Sequence, residues 1–140
     1  MKLRLIPFAA AALVLSACTS NNAPQDLNAA DITGQKWHLI TVDGEPVMPL
    51  GKKTPSLQLD ESLKANGIAG CNNFFGQAEW QDGQLKIDKM GMTMMMCPAG
   101  LDTLEQKVST TLNQWSKVSI NGNQLILIGN EHTLVYQQAD

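Results

Sequence analysis

The sequence predicts a mainly β (α+β) domain: a half-open antiparallel β-barrel, or a strongly curved sheet, packed by one α-helix. Two observations support this prediction. Short apolar runs rich in β-branched and aromatic residues are separated by two-residue turns of the Asp-Gly and Asn-Gly type. One segment instead repeats its apolar residues every three or four positions, which is the spacing of a helix. A lone helix with one apolar stripe must cover a face or an open end of the sheet.

Six to eight antiparallel strands are predicted where apolar runs and turn signals alternate along the chain. They lie at about residues 35–42, 56–59, 65–75 (a strand pair or one bent strand), 78–80, 85–87, 118–120, 125–128 and 133–136. The pair Asp43-Gly44 ends the first strand. Asp82-Gly83 and Asn121-Gly122 each stand between two short runs, and they therefore predict hairpins with two-residue turns.

The helix is predicted at about residues 99–115. Its apolar residues form a single stripe: Leu101, Leu104, Val108, Leu112 and Trp115. Pro98 precedes the helix, at a position where a missing backbone N–H is tolerated. We expect the middle of the stripe, at Leu104, Val108 and Leu112, to be buried against the sheet. The neighbouring methionines Met94 or Met96 are expected among its contacts.

Residues 1–17 have the features of a secretory signal peptide. Lys2 and Arg4 supply a positive start, and the apolar run that follows is too short to span a bilayer as a helix. The run ends in Leu15-Ser16-Ala17-Cys18, which resembles the bacterial lipobox. That resemblance implies cleavage before Cys18 and attachment of lipid to its thiol and its freed amine. The alternative is a secreted protein that merely has a cysteine at this position.

The mature chain is expected to contain a tether and one domain. Residues 18–30 hold the lipidated cysteine and a polar segment with few residues to bury, which predicts a flexible tether. Residues 31–140 are long enough for one modest core and too short for two. Several acyl chains bind a membrane essentially permanently. Thr19 stands where an inner-membrane retention signal would place Asp, so the predicted location is the periplasmic side of the outer membrane.

Composition and motifs argue against several classes of function. The formal net charge is −3, and removal of Lys2 and Arg4 with the signal peptide takes away two of the positive charges. A clustered basic face, which nucleic-acid binding requires, is not evident. No serine-hydrolase, zinc-protease, phosphate-loop or dinucleotide motif occurs in the sequence. We therefore expect no enzymatic activity, no nucleic-acid partner and no cofactor other than the covalent lipid on Cys18.

Cys71 and Cys97 remain once Cys18 is assigned to the lipid. Such a pair in an oxidising compartment is expected to form a disulfide. The loop that it closes would stabilise the fold by roughly 3.5 kcal/mol in the chain-entropy model. The alternative is two free thiols that bind a metal ion.

Five of the chain's methionines lie between residues 90 and 96. On a strand, the even-numbered ones would share one face. Their flexible thioether side chains suit an irregular core under the helix or an adaptable apolar groove, so Met92 and Met94 are candidate binding residues. The alternative is a Cu(I) site, because soft thioethers select that ion. His38 or His132 could then join it, although neither lies beside the methionine run.

Two motifs stand out within the domain: residues 67–76, Gly-Ile-Ala-Gly-Cys-Asn-Asn-Phe-Phe-Gly, and residues 93–97, Thr-Met-Met-Met-Cys. Together they resemble the paired signatures of the META domain family, in its branch of HslJ-type heat-shock lipoproteins. Glu105 matches the glutamate of the helix that follows the second signature in that family. The opening strand and turn match at Trp37, Leu39 and Gly44. The resemblance covers about residues 33–138 and implies a small half-open barrel with one helix, with no established reaction.

Asn72, in the first motif, has two interpretations. Gly70 and Gly76 flank it, and glycines at such positions predict turns or bulges. An asparagine can hydrogen-bond the neighbouring backbone and hold such a turn, with Phe74 or Phe75 then entering the core. The alternative is that Asn72 contacts a ligand.

The sequence as a whole predicts a monomeric, non-enzymatic envelope lipoprotein of the stress response. The domain is expected to bind a peptide, a partner β-strand or a lipid at an apolar site framed by the Met90–Met96 segment and the helix. In this hypothesis no metal is bound. The alternative hypothesis is a soft-metal (copper) binding protein that uses the methionine-rich strand.

Overall fold

The structure, a computed structural model, describes residues 26–48 and 52–140. The predicted signal peptide and Cys18 lie outside these residues. A short 3-10 helix at Ala29–Asp31 precedes the first strand. The strands are β1 Lys36–Val42, β2 Glu45–Pro46, β3 Ser56–Leu59, β4 Lys64–Ile68, β5 Asn73–Gln81, β6 Gln84–Met92, β7 Ser116–Asn121, β8 Gln124–Ile128 and β9 Thr133–Gln138, with the helix α1 at Leu101–Leu112 between β6 and β7.

Eight of the nine strands form a closed antiparallel barrel. The order around it is β1, β3, β4, β5, β6, β7, β8 and β9, and the pairing of β9 with β1 closes the ring. The two-residue strand β2 adds to β1 as a hairpin. Closure gives every strand of the ring a neighbour on each side over at least part of its length, which limits pairing with other chains. The predicted mainly β architecture packed by one helix is confirmed.

The seam between β6 and β7 is the weakest part of the ring. These strands pair at only two positions, Gln84 with Lys117 and Leu85 with Ser116. Beyond Leu85, the remainder of β6 has no partner strand on that side among the described residues. The chain between β6 and β7 is the segment that contains α1. The ring is therefore closed, with few pairs along this seam.

Tight turns set the register of three hairpins. In the β1–β2 and β5–β6 turns, Asp43-Gly44 and Asp82-Gly83 both take positive φ angles. This is the geometry of the type I′ turn, which suits the right-handed twist of paired strands. In the β7–β8 turn only Gly122 has a positive φ, and its two central residues are Gly122 and Asn123. The predicted turn there is displaced by one residue.

The helix lies across one end of the barrel. Lys107 of α1 donates a hydrogen bond to Asp43 in the β1–β2 turn. Gly129, in the β8–β9 turn, also lies close to the helix, because a Cβ added to it would lie 3.0 Å from the Thr111 methyl group. The other end of the helix packs on the β4–β5 turn, because a Cβ added to Gly70 would lie 2.5 Å from the Leu101 carbonyl oxygen. Turns from three hairpins therefore meet the helix at this end.

The core fills the barrel interior and continues under the helix. Its buried apolar residues are Ile32, Trp37, Leu39, Val42, Leu57, Leu59, Ala65, Ala69, Phe74, Ala78, Leu85, Ile87, Val108, Leu112, Val118, Leu125, Leu127, Leu134 and Tyr136. Trp37 is almost fully buried, and its indole N–H donates to the Ile32 carbonyl at 3.0 Å. Of the two adjacent phenylalanines, Phe74 is in the core and Phe75 is exposed.

The helix is shorter than predicted at its C-terminal end. Asn113 ends it, with its N–H donating to the Ser109 carbonyl. The Ser116 hydroxyl then donates to the Thr111 carbonyl at 2.9 Å, which turns the chain into β7. Trp115 therefore lies beyond the helix, where the Lys86 ammonium lies 5.3 Å from its ring centroid. None of the described helices is long and apolar enough to cross a membrane.

The prediction that Met94 or Met96 packs under the helix is wrong. Strand β6 ends at Met92, which pairs with Phe74, and β5 begins only one residue earlier, at Asn73. Beyond that point β6 has no partner strand to continue on. Met90 and Met92 pack against the core, whereas Met94 and Met96 are exposed. The four even-numbered methionines therefore do not share one strand face.

Candidate functional site

Glu105 joins the helix to the β4–β5 turn. Its Oε2 accepts the backbone N–H groups of Cys71, at 3.1 Å, and Asn72, at 2.7 Å. Its Oε1 accepts the side-chain amide of Asn72 at 2.8 Å. Hydrogen bonds to a carboxylate are among the stronger ones in proteins. The glutamate therefore holds the turn against the first half of α1.

Asn72 extends the same network to the segment before the helix. Its Oδ1 accepts the N–H of Met95 at 2.7 Å and the hydroxyl of Thr93 at 3.0 Å. Its Nδ2 donates to the Met95 carbonyl at 3.1 Å, and the side chain is 3% exposed. Since both ends of the amide already have protein partners, the geometry favours the interpretation that Asn72 holds the backbone, not a ligand.

The predicted disulfide between Cys71 and Cys97 is present. The two Cα atoms lie 5.9 Å apart, within the usual range for a disulfide. Ligand atoms of Cys71, Cys97 and Glu105 all lie within 4.8 Å of one another. Both sulfurs are joined to each other, so a metal ion could use them only after reduction. The disulfide and the hydrogen bonds of Asn72 together fix residues 93–97 to the barrel.

The fixed segment presents methionine side chains to solvent. Met94 is 92% exposed, Met95 50% and Met96 98%. Met48, which follows the β1–β2 hairpin, is 68% exposed. We call these four residues the methionine rim. Met92, the other candidate binding residue, packs against the core and does not belong to it.

Two grooves lie beside the first turns of α1, and both are lined by rim residues. One has a volume of about 310 Å³ and is lined by Lys52, Lys53, Gly70, Cys71, Met95, Met96, Pro98 and Leu101. The other, of about 300 Å³, is lined by Val42, Glu45, Pro46, Val47, Met48, Gly100, Leu101, Thr103, Leu104 and Lys107. Leu101 lines both. Apolar side chains predominate in each, and lysines stand among them.

A second polar cluster lies where the helix meets the β1–β2 and β8–β9 turns. Asp43 accepts from the Thr133 N–H at 3.0 Å, from the Lys107 ammonium at 3.2 Å and from the His132 ring at 2.9 Å. These partners, the Thr133 N–H above all, hold the pKa of Asp43 below its usual value. The carboxylate is therefore kept charged and links three elements of the fold.

The central residues of the site could be predicted from the sequence, and its border could not. Cys71, Asn72 and Cys97 are predicted, and the structure brings them together at one end of the helix. Met94 is also predicted, and its two neighbours in the chain are joined to Asn72. Met48 and the lysines of the grooves are not predicted. A single methionine in a loop gives no signal in sequence, because only the fold places it beside the helix.

Comparison with known proteins gives the relatives of this chain. A sequence model of the META domain matches residues 30–140. The heat shock protein HslJ of Escherichia coli (strain K12) is 29% identical over 138 residues, which cover 98% of this chain and 96% of that protein. An NMR structure 30% identical in sequence aligns with a TM-score of 0.72 over 81% of this chain and 97% of that one. An NMR structure of a protein from Burkholderia xenovorans, 23% identical, shares the fold with a TM-score of 0.64 over 96% of this chain and 99% of that one.

Proposed function

Because this chain belongs to the META domain family, we propose that it is a non-enzymatic lipoprotein of the bacterial envelope that binds apolar segments of unfolded polypeptides under stress. The name of its relative, a heat shock protein, supports the association with stress. The methionine rim and the two grooves beside it are the proposed binding surface. This proposal replaces the predicted site along the helix stripe, since Val108 and Leu112 are buried in the core.

The exposure of the methionine rim is the observation that carries this proposal. Three consecutive methionines are 50% to 98% exposed, so they contribute little to the packing of the fold. Such a cluster of exposed apolar groups typically marks an interaction site. Methionine side chains are unbranched and polarizable, so they adapt to apolar partners of different shapes. The Asn72 network holds their backbone in place, so binding would not require that segment to be ordered first.

The lysines of the grooves favour a partner that carries negative charge near its apolar groups. Lys52 and Lys53 line one groove, whereas Lys107 in the other is paired with Asp43. Lysine stems can cover apolar surface while the ammonium remains in water. Unfolded polypeptides with mixed apolar and acidic residues match this surface. Phospholipids share those features, and the experiment below separates the two.

The proposed anchor explains how the domain would reach its partners. Cleavage before Cys18 and lipidation would hold the chain on the outer membrane, facing the periplasm. The polar residues that follow Cys18 would then act as a short tether, which ends before the 3-10 helix at Ala29–Asp31 rather than at residue 30. This proposal requires no membrane attachment other than the lipid on Cys18. In it, the protein acts as a monomer.

Methyl NMR of the full-length chain in lipid nanodiscs tests the proposal. Methionine labelled at its methyl carbon gives one signal per residue, and the probe is a reduced, alkylated protein that cannot fold. We expect shifts at Met48, Met94, Met95 and Met96, with Met90, which is partly buried against the core, unchanged as the control. In a second experiment, paramagnetic lipids in the nanodisc report whether the rim contacts the membrane. Broadening of the rim signals by lipid, without response to the unfolded probe, would contradict polypeptide binding and indicate a lipid site.

Copper binding is the second candidate, because the exposed thioethers of Met94 to Met96 are soft ligands close together. Titration of the protein with Cu(I), with the disulfide intact, distinguishes copper binding from polypeptide binding. Saturable binding accompanied by a large rise in thermal midpoint would favour the metal site. We expect no such rise, because the sulfurs of Cys71 and Cys97 are held in the disulfide and Met94 and Met96 are almost fully exposed. The matched control is the Met94→Leu, Met96→Leu double variant, which keeps the apolar surface and removes two sulfurs.

A further inference from the structure

The thioethers of Met94 and Met96 are held out into solvent by a rigid backbone. Their side chains are 92% and 98% exposed, and Met95 between them is fixed by two hydrogen bonds to the Asn72 amide. The disulfide at Cys97 fixes the same segment at its other end. The backbone of the segment is therefore held in place, with the side chains of Met94 and Met96 on its exposed side. Dissolved oxidants have open access to both sulfur atoms.

The chemistry of the thioether makes exposure the controlling factor. A thiol must lose its proton before it reacts, whereas the methionine sulfur attacks an oxidant directly with its lone pair. Oxidation gives methionine sulfoxide, and sulfoxide reductases reverse it. In the described residues both cysteines are joined in the disulfide, so no thiol there competes for oxidant. The rim is the most accessible reduced sulfur of the described domain.

We propose that Met94 and Met96 form a site of reversible oxidation by hypohalous acids or peroxides, which switches the methionine rim from apolar to polar. With hypochlorous acid, the sulfur takes the oxygen atom, the O–Cl bond breaks, and chloride and a proton leave. The sulfur loses two electrons and the chlorine gains them. Reduction by a methionine sulfoxide reductase returns two electrons and two protons and releases the oxygen as water.

The same modification has little effect on the fold. Neither sulfur packs in the core, and the hydrogen bonds of the segment use the backbone of Met95, which oxidation does not alter. A sulfoxide is a polar group with a strong acceptor oxygen, which disfavours burial against an apolar partner. Oxidation would therefore weaken apolar binding and leave stability unchanged. This consequence rests on the proposed function, whereas the site of oxidation does not.

Site-resolved mass spectrometry tests the site of oxidation. The full-length chain is treated with increasing amounts of hypochlorous acid, digested, and the sulfoxide is measured at each methionine. We expect Met94 and Met96 to oxidise on the order of tenfold faster than Met90 and Met92, which pack against the core. Treatment with a sulfoxide reductase should restore the original mass. Equal rates at all four residues, or a fall in thermal midpoint that parallels oxidation at the rim, would overturn the proposal.

Binding of the unfolded probe tests the switch. Oxidised wild-type protein is expected to lose most of its affinity and to regain it after reduction. The Met94→Leu, Met96→Leu variant keeps an apolar rim without its two most exposed sulfurs, so its affinity should resist doses of oxidant that in the wild type oxidise mainly Met94 and Met96. Met92→Leu is the matched control and should remain sensitive. An oxidised wild type that binds as well as the reduced protein contradicts the switch. Failure of the untreated protein to bind contradicts the proposed function alone, and the oxidation rates still decide the site.

Discussion

Asn72 and Glu105 together connect three pieces of backbone that no strand pairing joins. Glu105 accepts two N–H groups of the β4–β5 turn, and Asn72 pairs with both backbone groups of Met95. An amide side chain has one acceptor oxygen and two donor hydrogens, which imitate the groups of a peptide bond. Asn72 thus replaces the partner residue that β6 lacks beyond Met92. Neither serine nor aspartate offers the same set of groups.

Replacement of this amide should therefore be costly. Asn72→Ala leaves the Met95 backbone without partners at a half-buried position, and each unsatisfied group costs about 1–3 kcal/mol. We expect the free energy of unfolding in urea to fall by that amount or more. The matched control is Asn73→Ala, an exposed asparagine one position along, expected to change stability by less than about 0.5 kcal/mol. Equal effects of the two variants would show that the network contributes little.

The burial of the apolar stripe of α1 depends on the position of the helix across the barrel end. The helix is amphipathic, but its stripe is not uniformly buried: Val108 and Leu112 are in the core, while Leu104 is only partly buried beside a groove. The difference follows from the position of the helix across the barrel end. Its C-terminal half covers the open interior, and its N-terminal half passes over the β4–β5 turn. Periodicity alone predicts which face is apolar and not how far along it the core extends.

The two leucines therefore make a direct comparison within one helix. Leu112→Ala removes a fully buried side chain and is expected to lower the free energy of unfolding by roughly 2–5 kcal/mol. Leu104→Ala should cost clearly less, because part of that side chain already contacts water. Urea denaturation of both variants gives the two values. A larger loss at Leu104 than at Leu112 would contradict the described position of the helix.

Asp43 makes the attachment of the helix depend on pH. Its folded-state pKa is lowered by Thr133, Lys107 and His132, so the folded state favours the charged carboxylate. The resulting stability is fully present above the unfolded-state pKa, near 4, and is lost as pH falls through the lower folded-state value. Thermal melts should show wild type above Asp43→Asn at neutral pH, with the gap closing in acid. Asp82→Asn makes the same substitution in the equivalent position of the β5–β6 turn and is the matched control. A gap that widens in acid would contradict this account.

At the scale of the whole molecule, sequence predicts the fold better than the surface. Turn pairs such as Asp82-Gly83 and the alternation of apolar residues define local geometry, so most strands and the helix could be predicted. The disulfide follows from cysteine count once Cys18 is set aside. The exposure of Met94 and Met96 could not be predicted, because it depends on where β5 begins and on a side chain, Asn72, from another hairpin. A methionine run alone is equally consistent with core packing.

The location of the molecule rests on the N-terminal residues, and it can be tested without reference to the domain. If Leu15 to Cys18 form an acylation signal, wild-type protein should incorporate labelled palmitate and sediment with outer membranes. Cys18→Ser should leave an unlipidated precursor that retains residues 1–17. Thr19→Asp keeps the lipid and supplies the residue expected of an inner-membrane retention signal, so it should move the protein to the inner membrane. It is the matched control, because it separates lipidation from sorting. Wild-type protein that is free in the periplasm without palmitate would contradict the anchor, and with it the tethered position from which the methionine rim is proposed to act.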